Sequence, residues 1–321
     1  MTCIAVDLMG GDAPVVQRFE ALLKFAKKNP TIDILVFVTT PFAQQLKQQA
    51  TRLPDNWVTE VCASQIMMSE SPLAALRNKQ DSSLSLSIKA LHQHRADAVL
   101  TAGNTGALVA FSKHWLKLIS PIERPALATV LPGKPKPTLL LDVGASLEYR
   151  AEDFLNLAEL GVQMAPLLMA NLKNPEVALL NVGTEHIKGH DTIQQADRLL
   201  QQSTLNYAGF CEGSDLFNGR HDVICCDGFV GNITLKACEG LIKNLQVNSP
   251  RLNWRRWIPG FKAVNLNPAQ YNGALLLGLD GLVVKSHGHS DAMAFYHALQ
   301  RTADYVGTFK QDLTKTIRDS K

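Results

Sequence analysis

Several short motifs that mark common enzyme classes are missing from this chain. No GxxxxGK[ST] element occurs among its 321 residues, which sets aside a P-loop nucleotide hydrolase. The first apolar run ends in Met9-Gly10-Gly11-Asp12, the wrong spacing for a GxGxxG dinucleotide fingerprint. There is no GxSxG elbow and no HExxH pair. The six cysteines (Cys3, Cys62, Cys211, Cys225, Cys226 and Cys238) make no CxxC pair and no metal-like spacing. Four of them fall in apolar strand or helix contexts, so a reduced, cytoplasmic protein is expected. Charged residues make up 19%, below the usual share of about a quarter. The net charge of +3 gives no reason to expect a nucleic-acid partner. No run approaches the roughly 20 apolar residues that span a bilayer. Cys3–Val6 is too short for a secretion signal and runs straight into a turn, so none is expected.

What the chain does have is a repeated strand ending. Six apolar runs stop in a Gly-rich turn that carries small polar or charged residues. They lead into Asp7-Leu8-Met9-Gly10-Gly11-Asp12, Gly103-Asn104-Thr105-Gly106, Asp142-Val143-Gly144-Ala145, Asn181-Val182-Gly183, Asp227-Gly228-Phe229-Val230-Gly231-Asn232 and Lys285-Ser286-His287-Gly288. In an open α/β sheet the carboxyl ends of strands line the ligand crevice. Glycine lets backbone N–H groups approach an anion, and a following helix N-terminus adds positive potential. Six such turns on one sheet edge are expected to form a site for a phosphate-like ligand.

The hydrophobic content of 46% supports a sizeable core. Strands are expected at Cys3–Val6, Ile32–Val38, Val58–Val61, Ala98–Ala102, Thr129–Leu131, Thr138–Leu141, Val177–Asn181, Tyr207–Phe210, Val223–Cys226 and Leu282–Lys285. Helices are expected between them, among them Ala107–Ile119, Glu152–Met169, Asn232–Asn244 and a last one over Asp291–Val306. Alternating βα units predict a mostly parallel sheet with helices on both faces. No internal repeat or low-complexity linker marks a boundary, so residues 1–321 read as one α/β catalytic unit, in one lobe or two closely packed ones.

Each feature also has a plainer reading. Glycine after a strand is often turn chemistry alone, and Asp7 and Asp142 can serve as caps. His287 and His289 lack a carboxylate pattern that would make a metal site. Cys225-Cys226 reads as a buried strand pair with no activating partner. Residues 246–267 break the βα pattern and hold Trp254-Arg255-Arg256-Trp257-Ile258. This basic, aromatic segment fits an ordinary solvated turn or core edge, a membrane interface, or a surface for an acidic protein partner.

Taken in order, these motifs resemble the bacterial phosphate acyltransferases of phospholipid synthesis. Besides the six turns, the resemblance rests on Leu76-Arg77 with Asp81-Ser82-Ser83, on Glu123-Arg124-Pro125-Ala126, on Lys188-Gly189, on Thr234-Leu235-Lys236 and on Tyr271-Asn272-Gly273-Ala274. Two departures stand out. The family's usual Asn after the Gly-Ala is Ser146, and Thr184 precedes Glu185. The resemblance implies a fold similar to isocitrate and isopropylmalate dehydrogenases and to phosphotransacetylase. It implies a homodimer in the cytoplasm, in transient contact with the inner face of the membrane. The reaction it implies moves a fatty acyl group from acyl-[acyl carrier protein] to inorganic phosphate, without metal or cofactor. Acyl phosphate would then pass to a glycerol-3-phosphate acyltransferase in the membrane. On this resemblance Gly103, Asn104, Thr105 and Lys188 are expected to cradle phosphate, with Gly10, Gly11 and Gly106 in the same set. Asn232 and the N–H groups of Gly228–Gly231 are expected to hold the carbonyl oxygen. Lys285, Ser286 and His287 are expected to neutralise phosphate or protonate the departing thiolate, while Asp7, Asp142 and Asp227 orient the cations. Trp254, Arg255, Arg256 and Trp257 would meet lipid or carrier protein. Two alternatives remain at this point, a phosphotransacetylase-like enzyme using acyl-coenzyme A and a non-catalytic membrane-surface scaffold.

Overall fold

The computed structural model describes residues 2–49, 53–120, 122–169, 172–247 and 272–319. The segment with Trp254, Arg255, Arg256 and Trp257 lies outside the described residues. Among those described, eleven strands form a single sheet in the order β3-β2-β1-β4-β11-β10-β5-β6-β9-β7-β8. The strands are β1 (Thr2–Asp7), β2 (Ile32–Thr39), β3 (Trp57–Cys62), β4 (Ala98–Thr101), β5 (Ala126–Leu131), β6 (Thr138–Leu141), β7 (Val177–Leu180), β8 (Tyr207–Cys211), β9 (Val223–Cys225), β10 (Ala274–Leu277) and β11 (Leu282–Lys285). The helices are α1 (Val15–Lys28), α2 (Thr40–Gln49), α3 (Pro72–Asn78), α4 (Ser83–His92), α5 (Thr105–Trp115), α6 (Ala151–Leu168), α7 (Asp191–Gln201), α8 (Gly228–Val247) and α9 (Ala292–Asp319).

The apolar runs are continuous because both faces of the sheet are covered. Successive side chains of a strand point to opposite faces. Ile4, Val6, Val36 and Val38 therefore pack with Phe19, Phe25, Phe154 and Phe295 of α1, α6 and α9. Ala5, Leu35, Phe37 and Val99 pack with Leu84, Ile88 and Phe111 of α4 and α5. The mostly parallel sheet with helices on both faces is thus as the sequence led one to expect.

The direction of the strands is not uniform. β3, β2, β1, β4 and β11 run parallel. Antiparallel pairs then follow between β11 and β10, β10 and β5, and β5 and β6. β6, β9, β7 and β8 run parallel again, opposite to the first set. The carboxyl ends of β1, β4 and β11 therefore lie on one edge and those of β6, β7 and β9 on the other. This corrects the expectation that all six turns share an edge. The unforeseen strand is β10: the short run Ala274–Leu277 precedes Gly278-Leu279-Asp280-Gly281, a turn that folds the chain back into β11 as a hairpin.

Helix α8 begins at Gly228, four residues before the expected start at Asn232. Asp227 caps it by accepting from Val230 N at 2.8 Å. A Cβ at Gly231 would overlap the carbonyl oxygen of Asp142, so this turn needs glycine for close approach. Helix α6 also rides close to the sheet. A Cβ at Gly161 would lie 2.6 Å from Val223 Cγ1 and 3.2 Å from Leu141 Cδ2. Gly161→Val is expected to lower stability in urea unfolding by about 1–3 kcal/mol through overpacking. Gly240→Ala, where nothing lies within 4 Å, should be neutral or stabilising by up to about 1 kcal/mol in the same assay. Equal effects at the two sites would contradict the packing of α6.

Candidate active site

The first edge gathers the turns after β1, β4 and β11. Asp7 is buried, and its carboxylate accepts from Thr101 Oγ1 at 2.7 Å and from Gly10 N at 3.2 Å. Gly103 N donates to the same threonine oxygen at 2.9 Å. The β1 and β4 turns lie back to back: a Cβ at Gly10 would stand 2.7 Å from Gly103 Cα. Gly11 adopts φ +107°, and Asp12 N and Ala13 N donate to Gly288 O at 2.9 and 3.1 Å. All three turns are therefore tied by backbone contacts.

Lys285 ends β11 inside this cluster. Its ammonium donates to the carbonyl oxygens of Ala102, at 3.3 Å, and Ser286. Burial pushes its pKa down to about 8, and the charge of Lys236 adds to the fall, against the opposing pull of Asp7, Asp12 and Glu239. His287 Nε2 lies 2.9 Å from Glu239 Oε1, and His289 Nδ1 lies 3.4 Å from Asp12 Oδ2. Ser286 is fully buried, and its hydroxyl is held by Asn272 Nδ2 and Ser290 Oγ, both at 2.9 Å. It shapes the turn from within. Asn272, which the sequence reading placed only inside a motif, pins the turn further by accepting from His287 N at 3.1 Å.

Asn104 is engaged at both ends of its amide. Its oxygen caps α5 through Ala107 N at 3.0 Å, and its nitrogen donates to Met68 O and Glu70 O at 2.9 and 3.0 Å. Among the polar groups this turn still presents are the first-turn N–H groups of Thr105 and Gly106, which have no acceptor within a helix. They add positive potential beside Gly103.

Sequence reasoning missed Arg18. It is buried, and it spans the β1 turn by donating from Nε to Leu8 O at 2.9 Å and from one terminal nitrogen to Ala13 O at 2.8 Å. Burial lowers its pKa, opposed by Asp7 and Asp12. An arginine two turns past a Gly-Gly-Asp gave no signal, because charged residues on a helix usually face solvent.

The second edge is organised by Asp142, which is fully buried. Its carboxylate accepts from Leu127 N at 2.8 Å, Gly144 N at 3.0 Å, Ala145 N at 2.9 Å, Ser146 N at 2.7 Å and Tyr149 Oη at 3.2 Å. Burial raises its pKa and these backbone donors oppose the rise. With its oxygens occupied, Asp142 holds the loop instead of orienting a cation. Ser146 enters through its backbone, whose carbonyl accepts from Gly228 N at 2.9 Å. Replacing the family's Asn by Ser leaves those bonds intact. The N–H groups of Gly228, Val230 and Gly231 are used within the loop and the α8 cap, by Ser146 O, Asp227 Oδ1 and Asp227 O. Asn232 is the half-buried polar side chain that remains there, against Gly144. Lys188 is exposed in the turn after β7, on this second edge and not beside Gly103.

The two edges meet on α8. Asn232 touches the Gly144 turn, Lys236 acts electrostatically on Lys285, and Glu239 pairs with His287. The spacing 232, 236, 239 puts all three on one helix face. Asn232 and Glu239 are seven residues apart, about 10 Å along the axis. Lys285 and His287 at one end of this face and Asn232 at the other therefore bound one cleft, with Asp7 and Asp142 buried behind them in the turns.

Comparison with known proteins now gives the lineage. The profile of the family described as "Fatty acid synthesis protein" matches residues 2–310. A protein of Paraburkholderia phytofirmans named phosphate acyltransferase is 41% identical over 94% of this chain and 85% of its own length. A phosphate acyltransferase of Shewanella woodyi is 42% identical over 92% of this chain and 90% of its own. The chain belongs to the phosphate acyltransferase family. Among solved structures, a phosphotransacetylase from Streptococcus pyogenes matches with TM-score 0.63 at 14% identity, over 96% of this chain and 94% of that one. A 4-hydroxythreonine-4-phosphate dehydrogenase from Burkholderia phymatum matches with TM-score 0.51 at 15% identity, over 95% and 98%. These likenesses show the fold. Among the described residues no helix is long and apolar enough to cross a membrane, and no group of three His, Cys, Asp or Glu is placed to hold a metal.

A lysine with a pKa of about 8 is a cation below that pH and neutral above it. Anion binding that uses Lys285 should weaken as pH rises through about 8. Titration with inorganic phosphate should show this loss, and Lys285→Arg should carry binding to higher pH, since arginine stays charged. Parallel pH profiles for the two proteins would remove Lys285 from the anion site.

Proposed function

We propose that this family member transfers a fatty acyl group from acyl-[acyl carrier protein] to inorganic phosphate, giving acyl phosphate and free carrier protein. The observation that carries the reading is the single face of α8 on which Asn232 and Lys236 stand between the Gly144 turn and Lys285. It offers a carbonyl-oxygen donor and a cationic anion site about 6 Å apart along the helix.

In this mechanism phosphate sits against the N-terminus of α5, with Lys285 and Lys236 supplying charge. One phosphate oxygen attacks the thioester carbonyl carbon, forming a C–O bond. The carbonyl oxygen gathers negative charge and is met by the Asn232 amide, a donor held in place before the reaction. The C–S bond breaks, and the thiolate leaves with its electron pair and takes a proton. His287, poised by Glu239, is the proton carrier this reading assigns on the first edge. A thiolate is a good leaving group, so this proton step carries little of the barrier. Holding both substrates together removes much of the orientational cost of the encounter. Asp7, Asp142 and Asp227 act on the turns, and Lys188 stands on the second edge where a carrier-borne thioester would approach.

The reading extends to a homodimer, to segment 246–267 as the carrier or membrane surface, and to a membrane glycerol-3-phosphate acyltransferase as consumer of the product. A coenzyme A thioester is the competing donor, favoured by the phosphotransacetylase among the fold relatives. Radiolabelled phosphate incubated with acyl-carrier protein or with acyl-coenzyme A separates the two, and label should enter acyl phosphate faster with the carrier. Asn232→Ala and Lys236→Ala are expected to cut turnover at least tenfold, about 1.4 kcal/mol of transition-state stabilisation. Near-wild-type rates in both, with the fold intact by circular dichroism, would reject this cleft as the site.

A further inference from the structure

The two edges of the cleft differ in what they show to solvent. On the first edge Asp7 and Lys285 are buried, Asp12, His287 and His289 reach solvent, and Met67, Leu73 and Met293 are single exposed apolar side chains nearby. On the second edge the turns after three neighbouring strands each turn apolar side chains outward. Leu147 follows β6, Val182 and Ile187 follow β7, and Phe229, Val230 and Ile233 follow β9 on the first turns of α8. Val182 and Ile187 are 81% and 83% exposed, and Leu147, Phe229 and Ile233 are each more than half exposed. β6, β9 and β7 are adjacent in the sheet, with strands about 4.8 Å apart, so these turns form one rim. Gly228 N donates to Ser146 O at 2.9 Å, which joins the β6 turn directly to the start of α8. Single exposed apolar residues are ordinary, but a contiguous set beside a reaction cleft marks a binding surface.

We infer that this rim is the bed for the hydrocarbon chain of the acyl substrate. The inference rests on the proposed acyl transfer and adds where the chain lies. Two features choose this occupant. Ile233 adjoins Asn232, the residue placed at the thioester carbonyl, so a chain leaving that carbonyl away from Lys285 runs over Ile233 and Phe229 at the middle of the rim, with Leu147 flanking it on the β6 side and Ile187 on the β7 side. The opposite direction leads into the charged first edge, where burying methylenes would displace water from Lys236, Glu239 and His287. Phosphate and hydrocarbon are thereby assigned to separate edges, with the reacting carbon between them.

The test uses the full chain and saturated thioesters of 4, 8, 12 and 16 carbons on one carrier, at fixed phosphate. Each methylene buried is expected to improve kcat/KM by up to about fourfold. In an Ile187→Ser, Phe229→Ser, Ile233→Ser variant the gain from 4 to 16 carbons should shrink at least tenfold, with the 4-carbon rate kept within a factor of two. Calorimetric binding of 4- and 16-carbon acyl phosphonates gives a second reading that needs no turnover. If the wild type makes no acyl phosphate yet the variant loses its preference for the longer phosphonate, the proposed reaction fails and the chain bed stands. If the wild type is active and variant and wild type share one chain-length profile, the inference is overturned. A variant slowed equally at every length, with a smaller mass by sedimentation, makes the rim a contact between two copies of this chain and overturns it as well.

Discussion

Three antiparallel pairings in the middle of the sheet set its two parallel halves against each other, and the position of every candidate residue follows from that reversal. In a uniform parallel sheet all the carboxyl-end turns would crowd one edge. Here they divide, three to an edge. In the sheet order β1 and β6 stand five strand spacings apart. Helix α8 joins the two sets of turns. It begins against Asp142 and reaches His287 through Glu239.

The buried charges on the two edges serve different ends. Asp142 is surrounded by donors from β5, from its own turn and from Tyr149, and its backbone oxygen leaves no room for a side chain at 231. Such a group, buried and satisfied, fixes geometry, and removing its partners would leave a costly unpaired carboxylate. Lys285 is the reverse case. Its ammonium is buried against two carbonyl oxygens, with a second lysine disfavouring its charge and three carboxylates opposing that effect. The protonated form is held loosely, and an arriving anion would stabilise it. Geometry is thus secured on one edge, and electrostatic readiness is placed on the other.

Much of the fold was legible because its strands are continuous apolar runs ending in Gly-rich turns, a pattern with few competing explanations. β10 was not, since Ala274–Leu277 is a run of only four residues, set off from Leu282–Lys285 by no more than Gly278-Leu279-Asp280-Gly281. Missing that one strand concealed the reversal, and with it the division of the turns between two edges. The site was legible as a set of residues more than as a set of roles. Asn104, Ser286, Asp142 and Gly228–Gly231 belong to the turns that build the cleft, yet their polar groups are spent on holding those turns in place. Lys236 was visible as a cation in a motif, but its bearing on Lys285 depends on helical spacing across a cleft. Arg18 depends wholly on tertiary packing.

On the proposed reaction the attacking group is itself an anion, which limits how strongly it should be held. A fully charged, rigid cage would bind phosphate tightly in the ground state and gain nothing at the transition state. A helix N-terminus and a lysine near its titration point hold phosphate while leaving its oxygens basic enough to attack. The larger electrostatic change falls on the carbonyl oxygen, which begins neutral and gathers charge. The donor for that change, Asn232, sits on α8 against Gly144, and Gly144 is fixed by the Asp142 carboxylate. The loop that Asp142 ties together therefore stands behind the donor that must not move, and the softer electrostatics are kept for the substrate that must be free to react.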